Sequence, residues 1–152
     1  MLSLIVFIWI LQGMAMFVDE FYSHHKRGLG AWERIGHPID TLFFVSCFIF
    51  TLFLDASAAA TSAFVILGLM STLIIVKDEF VHAKECDGGE HLLHAFLFIL
   101  HPCALIGLYW MWQAGQTFII GVQTLIISLF MIYQVVHWNF AKGKKYEQFA
   151  TS

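Results

Sequence analysis

The stretch LSLIVFIWILQGMAMFVDEFYSHH, residues 2–25, is largely apolar as far as Val18 and then turns abruptly polar. About 20 mainly apolar residues are enough for an α-helix to cross the hydrocarbon core of a bilayer. The stretch therefore predicts a transmembrane helix. Its last turns carry two adjacent carboxylates, a Phe and two histidines.

The rest of the chain repeats this apolar pattern. Of its 152 residues, 59% are hydrophobic and only 12% are charged, whereas about 25% are charged in a typical soluble domain. Five apolar stretches have membrane-helix character. They are residues 2–18, 39–54, 63–76, 92–112 and 118–138. The sequence predicts an all-α, polytopic membrane protein with about five transmembrane helices in a single domain, residues 1–152.

The basic residues define the expected orientation. In the five-helix arrangement all eight Lys and Arg residues fall on one side: Lys26, Arg27, Arg34, Lys77, Lys84, Lys142, Lys144 and Lys145. Cytoplasmic loops are enriched in Lys and Arg. We therefore expect an integral protein of a bacterial inner membrane. Its N-terminus would lie outside, and its tail, residues 140–152, would lie in the cytoplasm.

The polar end of the first apolar stretch has a second copy. DEFYSHHKRGLGAWERIGHP, residues 19–38, and DEFVHAKECDGGEHLLH, residues 78–94, share DEF, a His, a Gly-bearing loop and Glu-x-x-x-His. This order predicts two copies of one helical hairpin, residues 1–54 and 62–112, related by an axis along the membrane normal. The fifth helix, residues 117–139, is then an addition to a duplicated four-helix bundle.

The repeat brings carboxylates and imidazoles together. Residues three or four apart share one face of an α-helix, which pairs each Glu with a nearby His. Carboxylate and imidazole ligands suit iron, manganese or zinc. We expect two transition-metal ions, with iron the first choice and zinc or manganese as alternatives. The predicted ligands are Glu20, His24, Glu33, His37, Glu79, His82, Glu90 and His94.

Four further residues rank below these as ligands or as partners of ligands: His25, Asp40, His91 and His101. Spacing leaves open whether His24 or His25 faces inward. His101 lies two turns, about 10 Å, beyond His94, so it can serve a deeper site, a partner of the ligands or a substrate contact. At the end of the fifth helix, Trp138 is typical of an interfacial anchor.

These motifs resemble, in ligand chemistry, those of integral-membrane di-metal enzymes and ferritin-like di-iron bundles. Glu79-Phe-Val-His82 matches the Glu-x-x-His of such bundles, while the other pairs are spaced by four. The likeness covers residues 19–101. The HxxxH and HxxHH boxes of membrane hydroxylases and desaturases are not present in the sequence. The resemblance implies a di-iron oxidase or oxygenase that acts on a lipid-soluble substrate.

Other functions use the same residues. One is a zinc-dependent membrane hydrolase, in which the metal lowers the pKa of a bound water to about 7. Another is a non-enzymatic protein that binds or transports metal, or a subunit of a larger membrane complex. Bis-histidine haem ranks last, because haem does not need the carboxylates. The expected partners are the lipid bilayer, a lipid-soluble substrate and either a second copy or a larger complex, but no nucleic acid.

The orientation can be tested with alkaline phosphatase, whose disulfides form only in an oxidising compartment. Phosphatase inserted between Ala56 and Ser57 should be active, because that loop is predicted to face outward. The same insertion between Gly28 and Leu29 should be inactive. The reverse pattern of activities would contradict the predicted orientation.

Overall fold

The computed structural model describes residues 1–80 and 86–141. It contains five helices, each long and apolar enough to cross a membrane. They are α1 Leu2–Arg27, α2 Ala31–Phe53, α3 Ala58–Asp78, α4 Gly88–Gln113 and α5 Thr117–Ala141. Within these described ranges there is no strand. The all-helical, membrane-spanning character expected from composition is confirmed at this level.

Side-chain caps begin α3 and α4. The hydroxyl of Ser57 accepts a hydrogen bond from the backbone N–H of Ala60, and Asp87 accepts two, from Gly89 and Glu90. Such caps satisfy N–H groups that lack a partner within the helix. The N–H groups of Glu90 and Gly89 lower the pKa of the Asp87 carboxyl. The cap on α4 therefore stays ionised, and it places Glu90 in the first turn of the helix.

The helices do not pack mainly with their neighbours in sequence. The most extensive contacts join α1 with α4 and α2 with α5, while α3 packs against α2. A hydrogen bond from Nε1 of Trp9 to the Ala104 carbonyl, 3.1 Å long, ties α1 to α4. The apolar core lies among these helices, with Phe48 and Leu108 fully buried. The fifth helix is therefore an integral part of the bundle.

The charged residues gather at one end of this bundle, which we call the polar end. It comprises the last turns of α1, α3 and α5 and the first turns of α2 and α4. Gly28, with φ of 83°, ends α1 and lets the chain turn directly into α2. A short turn of this kind keeps the carboxylates of α2 close to those of α1. The buried acidic residues of the polar end are Asp19, Glu20, Glu33, Asp78 and Glu90.

The crossing of α1 and α4 depends on Gly107, because a Cβ at this position would lie 2.8 Å from Cγ2 of Ile5. We expect Gly107→Ala to destabilise the fold by about 1–3 kcal/mol through overpacking. Gly13→Ala is the matched control, because its added Cβ meets nothing within 4 Å. The measurement is the thermal midpoint of both variants in one detergent. Equal midpoints would show that the close crossing is not formed.

Candidate metal centre

Four buried side chains at the polar end converge on one point, and we call them the tetrad: Asp19, His24, Glu90 and His94. Each offers one ligand atom, and these atoms all lie within 4.8 Å of one another. Donors on opposite sides of an ion bound at about 2.1 Å are about 4.2 Å apart. The tetrad can therefore close around a metal ion with shifts below about 1 Å.

Asp19 lies between the two imidazoles of the tetrad. Its Oδ1 is 3.0 Å from Nε2 of His94, and its Oδ2 is 3.2 Å from Nε2 of His24. The same nitrogen of His24 is 3.9 Å from Oε1 of Glu90. No member of the tetrad is more than 6% exposed. Two carboxylates and two imidazoles thus share a pocket from which solvent is largely excluded.

The backbone of α1 explains why Asp19 belongs to the tetrad. Residues Asp19–His24 form a π-helical segment, in which the repeat is wider than in an α-helix. Residues five apart, such as Asp19 and His24, then share a face. The α-helical spacing of four pairs Glu20 with His24 instead. The sequence shows that Asp19 and His24 are five residues apart. This spacing places them on one face only if the helix is π-helical there, and the sequence does not reveal that change of helix type.

Glu20 lies on the other side of His24, with its Oε2 3.5 Å from Nδ1 of that ring. It accepts hydrogen bonds from Nε1 of Trp138 and, at 3.3 Å, from Nε2 of Gln134. Both donors belong to α5. Trp138 is only 1% exposed, so it is not the interfacial anchor that its position suggested. A carboxylate behind a ligand imidazole sets the orientation of that ring.

His24 and His25 face different surroundings. His24 is 1% exposed and belongs to the tetrad. The ring of His25 packs instead beside His137 and Trp138 of α5, and its Nδ1 lies 2.9 Å from the Glu20 carbonyl oxygen. The choice that spacing left open is therefore resolved geometrically: His24 points towards the tetrad and His25 towards α5.

Arg27 joins the carboxylates of α2 and α4. Its guanidinium donates to both oxygens of Glu33, at 2.6 and 3.0 Å, and to Oε1 of Glu90 at 3.0 Å. Glu33 also accepts a 3.1 Å hydrogen bond from the backbone N–H of Gly30. Nearby, burial and then the Glu90 carboxylate raise the pKa of the Cys86 thiol to about 12. That thiol therefore remains protonated at neutral pH.

A second group of charges flanks the tetrad. Nζ of Lys77 lies 2.6 Å from Oδ1 of Asp40 and 3.0 Å from Oδ2 of Asp78. Asp40 is thus held by Lys77. His37 lies edge-on to His24, with 4.7 Å between ring centroids.

The remaining predicted ligands lie elsewhere. The Glu79 side chain is 40% exposed, and its Oε1 is 3.3 Å from Nε2 of His91, so this pair sits near the surface. His82 lies outside the described residues. The structure therefore brings His24, Glu90 and His94 together with Asp19, places Glu20 and His37 beside them, and keeps Glu79 apart.

A cavity of about 110 Å³ runs from the tetrad into the bundle. Asp19, His24 and His94 line its polar end, and His101 lines its inner part. Phenylalanine side chains form much of the wall between them. These are Phe44, Phe98 and Phe130. The site thus combines a charged group of ligand atoms with an adjoining apolar chamber.

Fold and site together define a class: an all-helical chain with five membrane-length helices and a buried carboxylate–imidazole group that can hold a metal ion. Comparison with family models, curated proteins and solved structures finds no match to this chain. Its function therefore has to be argued from its own residues.

Because Arg27 pairs with two buried carboxylates, we expect the loss of its side chain to destabilise the protein strongly. Arg27→Met should destabilise the protein by about 3–5 kcal/mol, because Glu33 and Glu90 lose their cation in a buried place. Lys26→Met is the control, since Lys26 is exposed. Unfolding by SDS titration from mild micelles measures both variants. Equal destabilisation would contradict the buried pairing.

Proposed function

We propose that this chain is a membrane metalloprotein in which Asp19, His24, Glu90 and His94 bind a divalent transition-metal ion. The observation that carries the proposal is the convergence of these four buried donor atoms within 4.8 Å. Buried carboxylates are costly unless a cation or hydrogen bonds compensate them. A divalent ion would neutralise Asp19 and Glu90 together, and it would leave both imidazoles neutral, as ligation requires.

The number of donors bears on the identity of the metal. Four protein donors complete a tetrahedral zinc shell, which is typical of a structural site with no position for substrate. Iron or manganese, with six positions, keeps two of them open. Because the tetrad adjoins a cavity, we propose iron as the metal, with manganese as the alternative for a reactive site.

We propose a second ion because of the repeat. In the sequence repeat, the counterparts of the tetrad are Asp78, His82, Glu33 and His37. Two sets of contacts join residues of the two copies, and they support this proposal. Asp19 of the first copy contacts His94 of the second. Arg27 binds the matching pair Glu33 and Glu90.

The reaction we propose is oxidation of a lipid-soluble substrate, with dioxygen as the oxidant. What supports it is the apolar cavity beside the tetrad, lined by Phe44, Phe98 and Phe130. Metal ions bound there would supply the redox chemistry. The protein would hold the ions, orient His24 through Glu20 and keep water from the chamber. We place the polar end at the cytoplasmic side of a bacterial inner membrane, because the basic residues gather there.

Metal content of purified protein tests this proposal. Wild-type protein loaded with Fe(II) under anaerobic conditions should retain two equivalents after gel filtration. Asp19→Asn should retain at most one, because the variant removes the carboxylate that lies between His24 and His94. Elemental analysis gives the stoichiometry, and zinc and manganese loading run in parallel show the preference among metals.

Glu79→Gln provides the matched control, because it also neutralises one carboxylate near the same end of the bundle. Its side chain is 40% exposed and lies outside the tetrad, so metal content should not change. Wild-type protein that retains no metal would overturn the proposal. One equivalent in wild type, lost in Asp19→Asn, would restrict it to the tetrad alone.

A further inference from the structure

A polar pair lies deep in the apolar part of the bundle, away from the tetrad. Nε2 of His101 in α4 is 2.9 Å from the hydroxyl oxygen of Ser71 in α3. His101 is 7% exposed and Ser71 is fully buried. A polar residue at such depth in a membrane protein is costly, and it typically marks a site of function.

One of the two ring nitrogens of His101 is available to bind a ligand. Within the described part of the chain, only its Nε2 has a hydrogen-bond partner. The ring lines the same cavity that reaches the tetrad, whereas Ser71 lies behind it and does not. Ser71 therefore acts as a positioning residue, since its hydroxyl holds Nε2. This arrangement leaves Nδ1 as the nitrogen that can serve a molecule in the cavity.

The walls of the cavity restrict what that molecule can be. Asp19, Glu20, Asp40 and Asp78 line it, and among its described lining residues there is no Lys or Arg. A carboxylate or phosphate group would meet negative charge at the polar end and an apolar medium at the inner end. Both are unfavourable for an anion. An anion is therefore excluded. A cation would be attracted to the polar end but would have no counter-ion beside His101 at the inner end, so the molecule that reaches His101 is uncharged.

Size and shape restrict it further. A cavity of about 150 Å³ lined by apolar side chains holds one benzene molecule. This cavity measures about 110 Å³, so it accommodates at most a single ring and excludes a ring with an alkyl substituent or a long acyl chain. The ring of Phe44 packs against His101, with 4.6 Å between centroids, and offers an aromatic wall beside the imidazole.

We propose that His101 binds the hydroxyl oxygen of an uncharged single-ring aromatic molecule of the phenol or quinol class. The ring of this molecule lies between Phe44 and the tetrad. The inference names a substrate class for the proposed metal centre and rests on that proposed function for its reaction. The binding itself depends only on the cavity, His101 and Ser71, so it can be tested separately from the metal.

The test uses three single-ring probes that differ only in the polar group: phenol, benzene and benzoate. Binding to wild-type protein in lipid nanodiscs is measured by equilibrium dialysis, with empty nanodiscs subtracted. Phenol should bind with one saturable site per chain, at least tenfold tighter than the other two. Equal affinity for benzene would overturn the proposal, because the oxygen would then not be recognised.

Variants at position 101 test whether His101 makes the contact with the oxygen of the ligand. His101→Phe should weaken phenol binding at least tenfold, which corresponds to about 1.4 kcal/mol. His101→Asn should stay within about threefold of wild type, because the Asn amide reaches the place of Nδ1. His101→Gln places its amide near Nε2 instead, so it should bind as weakly as the Phe variant. Unchanged binding in both the Phe and the Gln variants would overturn the assignment.

Ser71→Ala should weaken binding about threefold, because the imidazole loses the hydrogen bond that orients it. Thr72→Ala is the matched control, since the Thr72 hydroxyl donates only to the Gly68 carbonyl in its own helix. Metal content is measured on every sample. Metal retention without selective phenol binding would refute this inference alone. Selective phenol binding that depends on His101, in protein that retains no metal after Fe(II) loading, would refute the metal proposal alone.

Discussion

The gathering of carboxylates at the polar end of the bundle is the constraint on which the rest of the site depends. Six carboxylates meet there, and the Lys and Arg side chains paired with them are Arg27 and Lys77. The remaining carboxylates need other partners, because burying a carboxylate without compensation is costly. The imidazoles of His24 and His94 lie against Asp19, and the metal ions proposed above would supply further positive charge. The six residues are Asp19, Glu20, Glu33, Asp40, Asp78 and Glu90.

The helices are arranged to meet this constraint. The π-helical segment turns Asp19 inward beside His24, and the Asp87 cap puts Glu90 at the start of α4. The fifth helix contributes Trp138 and Gln134, whose N–H groups hold Glu20. Asp19 and Glu20 lie about two turns before the end of α1 at Arg27, so their burial depends on these side-chain contacts and not on the ends of the helix.

Much of the architecture follows from the sequence, because apolar runs of membrane length leave little choice but helices. The tetrad could be predicted from the sequence only in part. Regular spacing identified His24, Glu90 and His94, but it favoured Glu20 over Asp19, because the change to π-helical winding has no period to detect. Glu79 occupies the place in the repeat that corresponds to Glu20, yet it pairs with His91 near the surface. The role of Trp138 depends on a contact 118 residues away in sequence, which no local pattern reveals.

Both ends of the cavity carry polar groups that a bound ion or molecule would stabilise. At the tetrad, two buried carboxylates and two imidazoles converge; at His101, Nδ1 has no hydrogen-bond partner in the described chain. A metal ion would compensate the carboxylates, and an oxygen-bearing ligand would give that nitrogen a partner. Because one cavity joins the two places, a single bound molecule can lie against both, which is the arrangement that a metal-dependent reaction on a hydrophobic substrate requires.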